Sequence, residues 1–67
     1  MRMRLCFDAA IYETVAVTPL APGRVRLDEA LRLVPAPVCV GDVLEVAARP
    51  DGTHQFVRVA ERAPARR

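Results

Sequence analysis

Val40-Gly41-Asp42-Val43-Leu44-Glu45-Val46 is the stretch on which the fold turns. Gly-Asp bends the chain tightly, and behind it Leu44 and Val46 alternate with Glu45, the period of two that marks a strand with one buried face. Downstream, Arg49-Pro50-Asp51-Gly52-Thr53 reads as a turn: Pro suits the second position of a type I turn and Gly accepts a positive φ. His54 falls in that turn and is expected in solvent. Residues 55–61 then form a closing strand with Val57 and Val59 inward and Phe56 outward.

Upstream the alternation recurs. Arg24-Val25-Arg26-Leu27-Asp28 turns Val25 and Leu27 inward, and Pro19-Leu20-Ala21-Pro22-Gly23 reads as the loop connecting it to a strand over residues 12–18. In that strand Val15 and Val17 share a face with Glu13 at its open end, while Thr14, Ala16 and Thr18 look outward. In the first eight residues Met1, Met3, Leu5 and Phe7 fall on one face and Arg2, Arg4, Cys6 and Asp8 on the other. Between these strands, Asp28 is placed to cap a helical turn over Glu29-Ala30-Leu31-Arg32-Leu33, which Pro35 and Pro37 would stop. The expected architecture is a small all-β domain, mainly antiparallel, a five-stranded curled sheet or partly open barrel with one short helical turn. Residues 1–61 form the domain and residues 62–67 a disordered Arg-rich tail.

Sixty-seven residues suffice for one core and no more. That core must be aliphatic, because ten Val and eleven Ala stand against two Phe, one Tyr and no Trp. So small a core gives modest stability, which invites a partner or a dimer. All ten basic residues are Arg and the chain has no Lys, Asn or Ser, a pattern of GC-rich coding, so abundant Arg does not by itself indicate a polyanion partner. The net charge is only +2, and the last two arginines supply that much.

The chemistry-bearing residues are few. Cys6 and Cys39 lack CxxC spacing and with the single His54 cannot complete a four-ligand zinc site, so no metal and no cofactor is expected. No Ser exists to serve as a nucleophile, and the eight carboxylates are spread singly among arginines, so no catalytic residue is assigned and the chain reads as a non-enzyme. No apolar run approaches the length of a membrane span, and no signal-peptide core is present. The expectation is a cytoplasmic protein with reduced thiols and no membrane partner.

Two surfaces stand out. By parity Arg2, Arg4, Arg24, Arg26 and Arg58 lie opposite the core, where five guanidinium groups could hold phosphates or pair across strands with Asp8, Asp28 and Glu45. The segment Leu31-Arg32-Leu33-Val34 reads as a hydrophobic lid on the barrel, with a partner-binding surface as the alternative. A ligand cavity there would need lining by Leu31, Leu33 and Leu44.

Glu13, Gly23-Arg24-Val25-Arg26-Leu27-Asp28, Gly41-Asp42 and Phe56-Val57-Arg58-Val59 together resemble a bacterial family of small β domains with no assigned function, over about residues 3–62. Gly23-Arg24-Val25-Arg26-Leu27 followed by Gly41-Asp42-Val43-Leu44-Glu45-Val46 is also similar to swapped-hairpin transcription factors of the AbrB and antitoxin type. That likeness implies hairpin exchange in a dimer, with Arg24 and Arg26 on DNA. The Gly-x-Val and Gly-Asp-x-Leu-x-Val elements are further similar to the second half of the alpha-L RNA-binding domain of ribosomal proteins. The expected function is a non-enzymatic binding module for another protein or for a second copy of itself, a homodimer. Nucleic-acid binding through Arg2, Arg4, Arg24, Arg26 and Arg58 is the alternative.

Overall fold

The alternation seen in the sequence becomes five strands: β1 (Arg2–Asp8), β2 (Ile11–Ala21), β3 (Arg24–Leu27), β4 (Val43–Ala48) and β5 (His54–Glu61). The computed structural model describes residues 1–8, 11–33 and 38–64, with the side chain of Asp8 excepted. The connector Ala9-Ala10, the helix-stopping Pro35 and Pro37 with Val34, the outward carboxylate expected at Asp8 and the last three tail residues lie outside the described residues.

The strands join in chain order into a closed barrel, not a curled open sheet. Each sequential pair is antiparallel, whereas β1 and β5 meet in parallel through Leu5 opposite His54 and Cys6 opposite Gln55. The Gln55 side chain strengthens this seam, its Nε2 donating to the Cys6 carbonyl at 3.0 Å. Inside lie Met3, Leu5, Val15, Val17, Val25, Leu27, Leu44 and Val46, an all-aliphatic core as the composition requires.

Four local expectations are corrected. The helical turn over residues 29–33 does not form, because its groups are engaged elsewhere. Asp28 accepts from the Thr18 hydroxyl at 2.5 Å instead of capping, and the amides of Arg32 and Leu33 donate to the Glu13 carboxylate. The Pro19 to Gly23 loop shrinks to Pro22-Gly23: β2 runs on through Pro19, opposite Val25, to Ala21. Pro19 is tolerated because β2 has by then outrun β1, whose first residue pairs with Ala16, so one edge of β2 needs no donor there. Gly23 turns the chain with φ +77°, and a Cβ on it would come within 3.3 Å of the Val46 carbonyl oxygen.

Third, Val57 is not inward but 49% exposed, and Phe56 packs on the core in its place. The β4–β5 register explains the exchange. Arg58 faces Glu45 and Phe56 faces Val46, so Val57 is an extra, bulged residue, and a second shift between Val43 and Leu44 strands Ala60 in the same way. Each bulge resets the parity on which the inward assignment depended. Fourth, His54 does not sit in the turn. That turn closes at Arg49–Gly52, with the Gly52 amide donating to the Arg49 carbonyl at 3.1 Å, and His54 opens β5 opposite Ala48.

Candidate functional site

One end of the barrel is covered by the segment between β3 and β4, and three carboxylates hold it there. Glu13 keeps the inward face of β2. Its Oε2 accepts the Arg32 amide at 2.7 Å and its Oε1 the Leu33 amide at 2.9 Å. Glu29 accepts the Ala16 amide at 2.7 Å and the Arg2 guanidinium at 3.0 Å. The Ala16 hydrogen bond, with Arg2 and Arg32 adding charge attraction against the opposing effect of burial, holds its carboxyl below the ordinary value. Asp42, only 1% exposed, accepts the Cys39 amide at 2.9 Å and the Ala63 amide at 2.6 Å, with Arg62 at 3.5 Å. Burial pushes its carboxyl up, but the two amides and Arg62 outweigh it and leave the group below its usual value. Under this lid Leu44 is fully buried and Leu31 packs on the core, while Leu33 is 69% exposed. Leu31 therefore acts as the lid that the sequence suggests, and Leu33 does not line a cavity with Leu44.

The arginines are placed around the outside of the cylinder. Arg2 and Arg4 stand on β1, Arg24 and Arg26 on β3, and Arg58 on β5, with β2 and β4 between them. Arg2 pairs with Glu29 and donates to the Thr14 carbonyl at 3.0 Å; the Arg4 guanidinium lies 4.8 Å above the Tyr12 ring. Arg26 binds Asp28 at 3.0 Å and the Thr18 hydroxyl at 3.1 Å, and Arg58 binds Glu45 at 2.8 Å. The Thr18 hydroxyl first, and Arg26 second, lower the Asp28 carboxyl below its ordinary value. Among the described residues Arg24 has no ion-pair partner, although Glu45 stands across from it with Arg58 on the far side. Arg24 and Arg58 thus flank one carboxylate, while Arg2 and Arg4 face another side.

The opposite end has no covering segment among the described residues. Met1 and Met3 of the amino end, Pro19 and Ala21 at the end of β2, and Val46 and Ala48 at the end of β4 surround a hollow of about 240 Å³. His54 completes the rim. It shares the inward face of Phe56, and its Nδ1 is buried with no hydrogen-bond partner among the described residues. The Met1 ammonium is turned aside to the Val17 carbonyl at 3.0 Å. Cys39 is exposed beside the lid, at the other end from His54, and Cys6 is buried; neither forms a disulfide among the described residues.

No known protein family, curated protein or solved structure matches this chain. The site is therefore read from its own geometry. Sequence reasoning missed the mouth because it placed His54 in solvent. Met1 and Met3 were visible on the inward face of β1, but His54 shares the parity of Phe56, which the sequence places outward and the bulge at Val57 turns inward.

Proposed function

We propose that this chain is a non-enzymatic binding module that holds another protein at the open mouth of its barrel. The observation that carries this reading is the contrast between the two ends. At the lidded end buried polar groups are met within the chain, whereas at the mouth Met1, Met3, Val46 and Ala48 line a hollow that no segment among the described residues covers. Its cellular setting is proposed to be the cytoplasm, where Cys6 and Cys39 stay reduced.

The nucleic-acid reading rests on Arg24, whose guanidinium has no carboxylate bound to it among the described residues. It is the weaker reading because Arg2, Arg26 and Arg58 are each held by a carboxylate and Arg4 by an aromatic face.

Protein captured from source lysate discriminates the two. Ala48 is exposed at the rim, so Ala48→Trp fills the mouth without entering the core. It is expected to reduce capture of a discrete protein partner at least about tenfold, with an unchanged circular-dichroism spectrum. The double substitution Arg24→Glu and Arg26→Glu leaves that capture intact, and no single-stranded RNA or duplex DNA is retained at micromolar protein and low salt. The converse pattern, loss with the arginine pair and retention with Ala48→Trp, overturns the proposal. Light scattering on the same samples shows whether the partner is a second copy of the chain.

A further inference from the structure

We infer that a groove on the outer wall of the barrel docks a second copy of this chain, groove against groove about a two-fold axis. The groove is a different surface from the mouth, and the dimer does not depend on what the mouth binds.

The groove forms where β2 ends. Pro19 stands opposite Val25 and Ala21 opposite Arg24, so Leu20 is an extra residue between them, and this bulge leaves its side chain 52% exposed. Leu20, Ala21 and Pro22 line one side of a hollow of about 400 Å³. Arg24, Val43 and Glu61, from the next three strands in order, line the rest.

Neither charge in the hollow has an ion partner among the described residues. Arg24 stands across from Glu45, but Arg58 holds that carboxylate at 2.8 Å. Glu61 stands across from Val43, which offers it nothing. A guanidinium and a carboxylate in one apolar hollow narrow the choice of occupant. A phosphate or an acidic peptide would suit Arg24 and be repelled by Glu61, and a basic peptide meets the reverse problem. The occupant must carry both signs, at the same separation, beside apolar surface. The chain's own groove meets all three conditions, because a two-fold rotation sets each residue against its counterpart's partner at the spacing the groove itself has. Arg24 of one copy then meets Glu61 of the other, and the converse. Val43, between them in strand order, lies nearest the axis, while Leu20 covers each ion pair from the β2 side and loses its exposure to water.

Sedimentation of the full chain over a concentration series at low salt tests the dimer. An interface centred on one groove belongs to the small class, so the native chain is expected to pass from monomer to dimer in the micromolar range, and at higher concentration when salt is added. Arg24→Glu sets carboxylate against carboxylate, and Glu61→Arg sets guanidinium against guanidinium, so each variant alone should stay monomeric. Mixed in equal amounts, the two should form a dimer of one copy each, because both contacts then join opposite charges. Ala48→Trp, at the rim of the mouth, should dimerise like the native chain. A native chain that is monomeric throughout, a charge variant that still dimerises alone, or a mixture that stays monomeric overturns the proposal. So does loss of the dimer in Ala48→Trp, which would seat the second copy at the mouth. Should either charge variant not fold by circular dichroism, Leu20→Glu on the exposed bulge replaces it: a monomer is expected, and a dimer that persists overturns the groove as its interface.

Discussion

Leu44→Ala is expected to lower the urea midpoint of unfolding by half or more, followed by far-ultraviolet circular dichroism. Leu44 is fully buried in β4, facing Val25 on β3 and Val59 on β5, so truncation opens a hole that three strands share. Removing a buried leucine to alanine costs about 2–5 kcal/mol. A chain of this length has roughly 3–10 kcal/mol in total. The fully buried neighbours are short aliphatic side chains held on paired strands, which relax little into the gap, so the cost should lie in the upper part of its range. Arg26→Ala on the surface of β3 is the control, expected to change stability by less than about 1 kcal/mol, since its ion pair is solvent-exposed. A Leu44→Ala protein as stable as the native one would mean that the core is not the interior of this barrel.

Asp42→Ala should be the next most damaging change, although it removes no apolar surface. Its carboxylate is the acceptor for the Cys39 and Ala63 amides, joining the turn that starts β4 to the chain leaving β5. Each buried donor left unmet costs about 1–3 kcal/mol. Because the Ala63 segment can swing into water, about 2–4 kcal/mol is expected for the pair by urea denaturation. The pH dependence has a definite sign. The folded carboxyl lies below its ordinary value of 3.8, so its contribution is complete above the unfolded value and is lost as pH falls through the folded one. Stability should therefore be flat from neutral pH down to about 4.5 and fall below it. Asp42→Ala should flatten part of that acid limb; an unchanged limb would show that other carboxylates, such as Asp28, Glu29 and Asp51, account for it.

How much of this could be read in advance differs from strand to strand. Val25 and Leu27, Leu44 and Val46, and Val15 and Val17 all enter the core at the positions their alternation predicts, because β2, β3 and β4 keep a constant period through those residues. β5 breaks the rule twice. A bulge adds a residue without changing the composition of a strand, so nothing in Phe56-Val57-Arg58-Val59 distinguishes a continuous pleat from the one in which Val57 is displaced. The lost helical turn has a different cause. Asp28 to Leu33 has suitable local chemistry, but its amides find better acceptors in Glu13, about twenty residues back in the chain, and such long-range partners leave no local mark. Glu13 itself was visible as a carboxylate on a valine face, yet its partner was not. The five arginines were correctly seen as outward residues of β1, β3 and β5. A closed cylinder, however, gives an outward side chain no common plane with its counterparts two strands away.

The parallel seam between β1 and β5 has a practical consequence for anyone handling the molecule. Strands that run the same way start at the same end, so polypeptide attached ahead of Met1 begins on the rim beside Met3 and His54. At the other end of the described chain, Ala63 and Pro64 lie next to Cys39 and Gly41. An affinity handle or fluorescent fusion at the amino end would stand across the entrance and compete with whatever docks there, whereas the same appendage at the carboxyl end leaves the doorway clear.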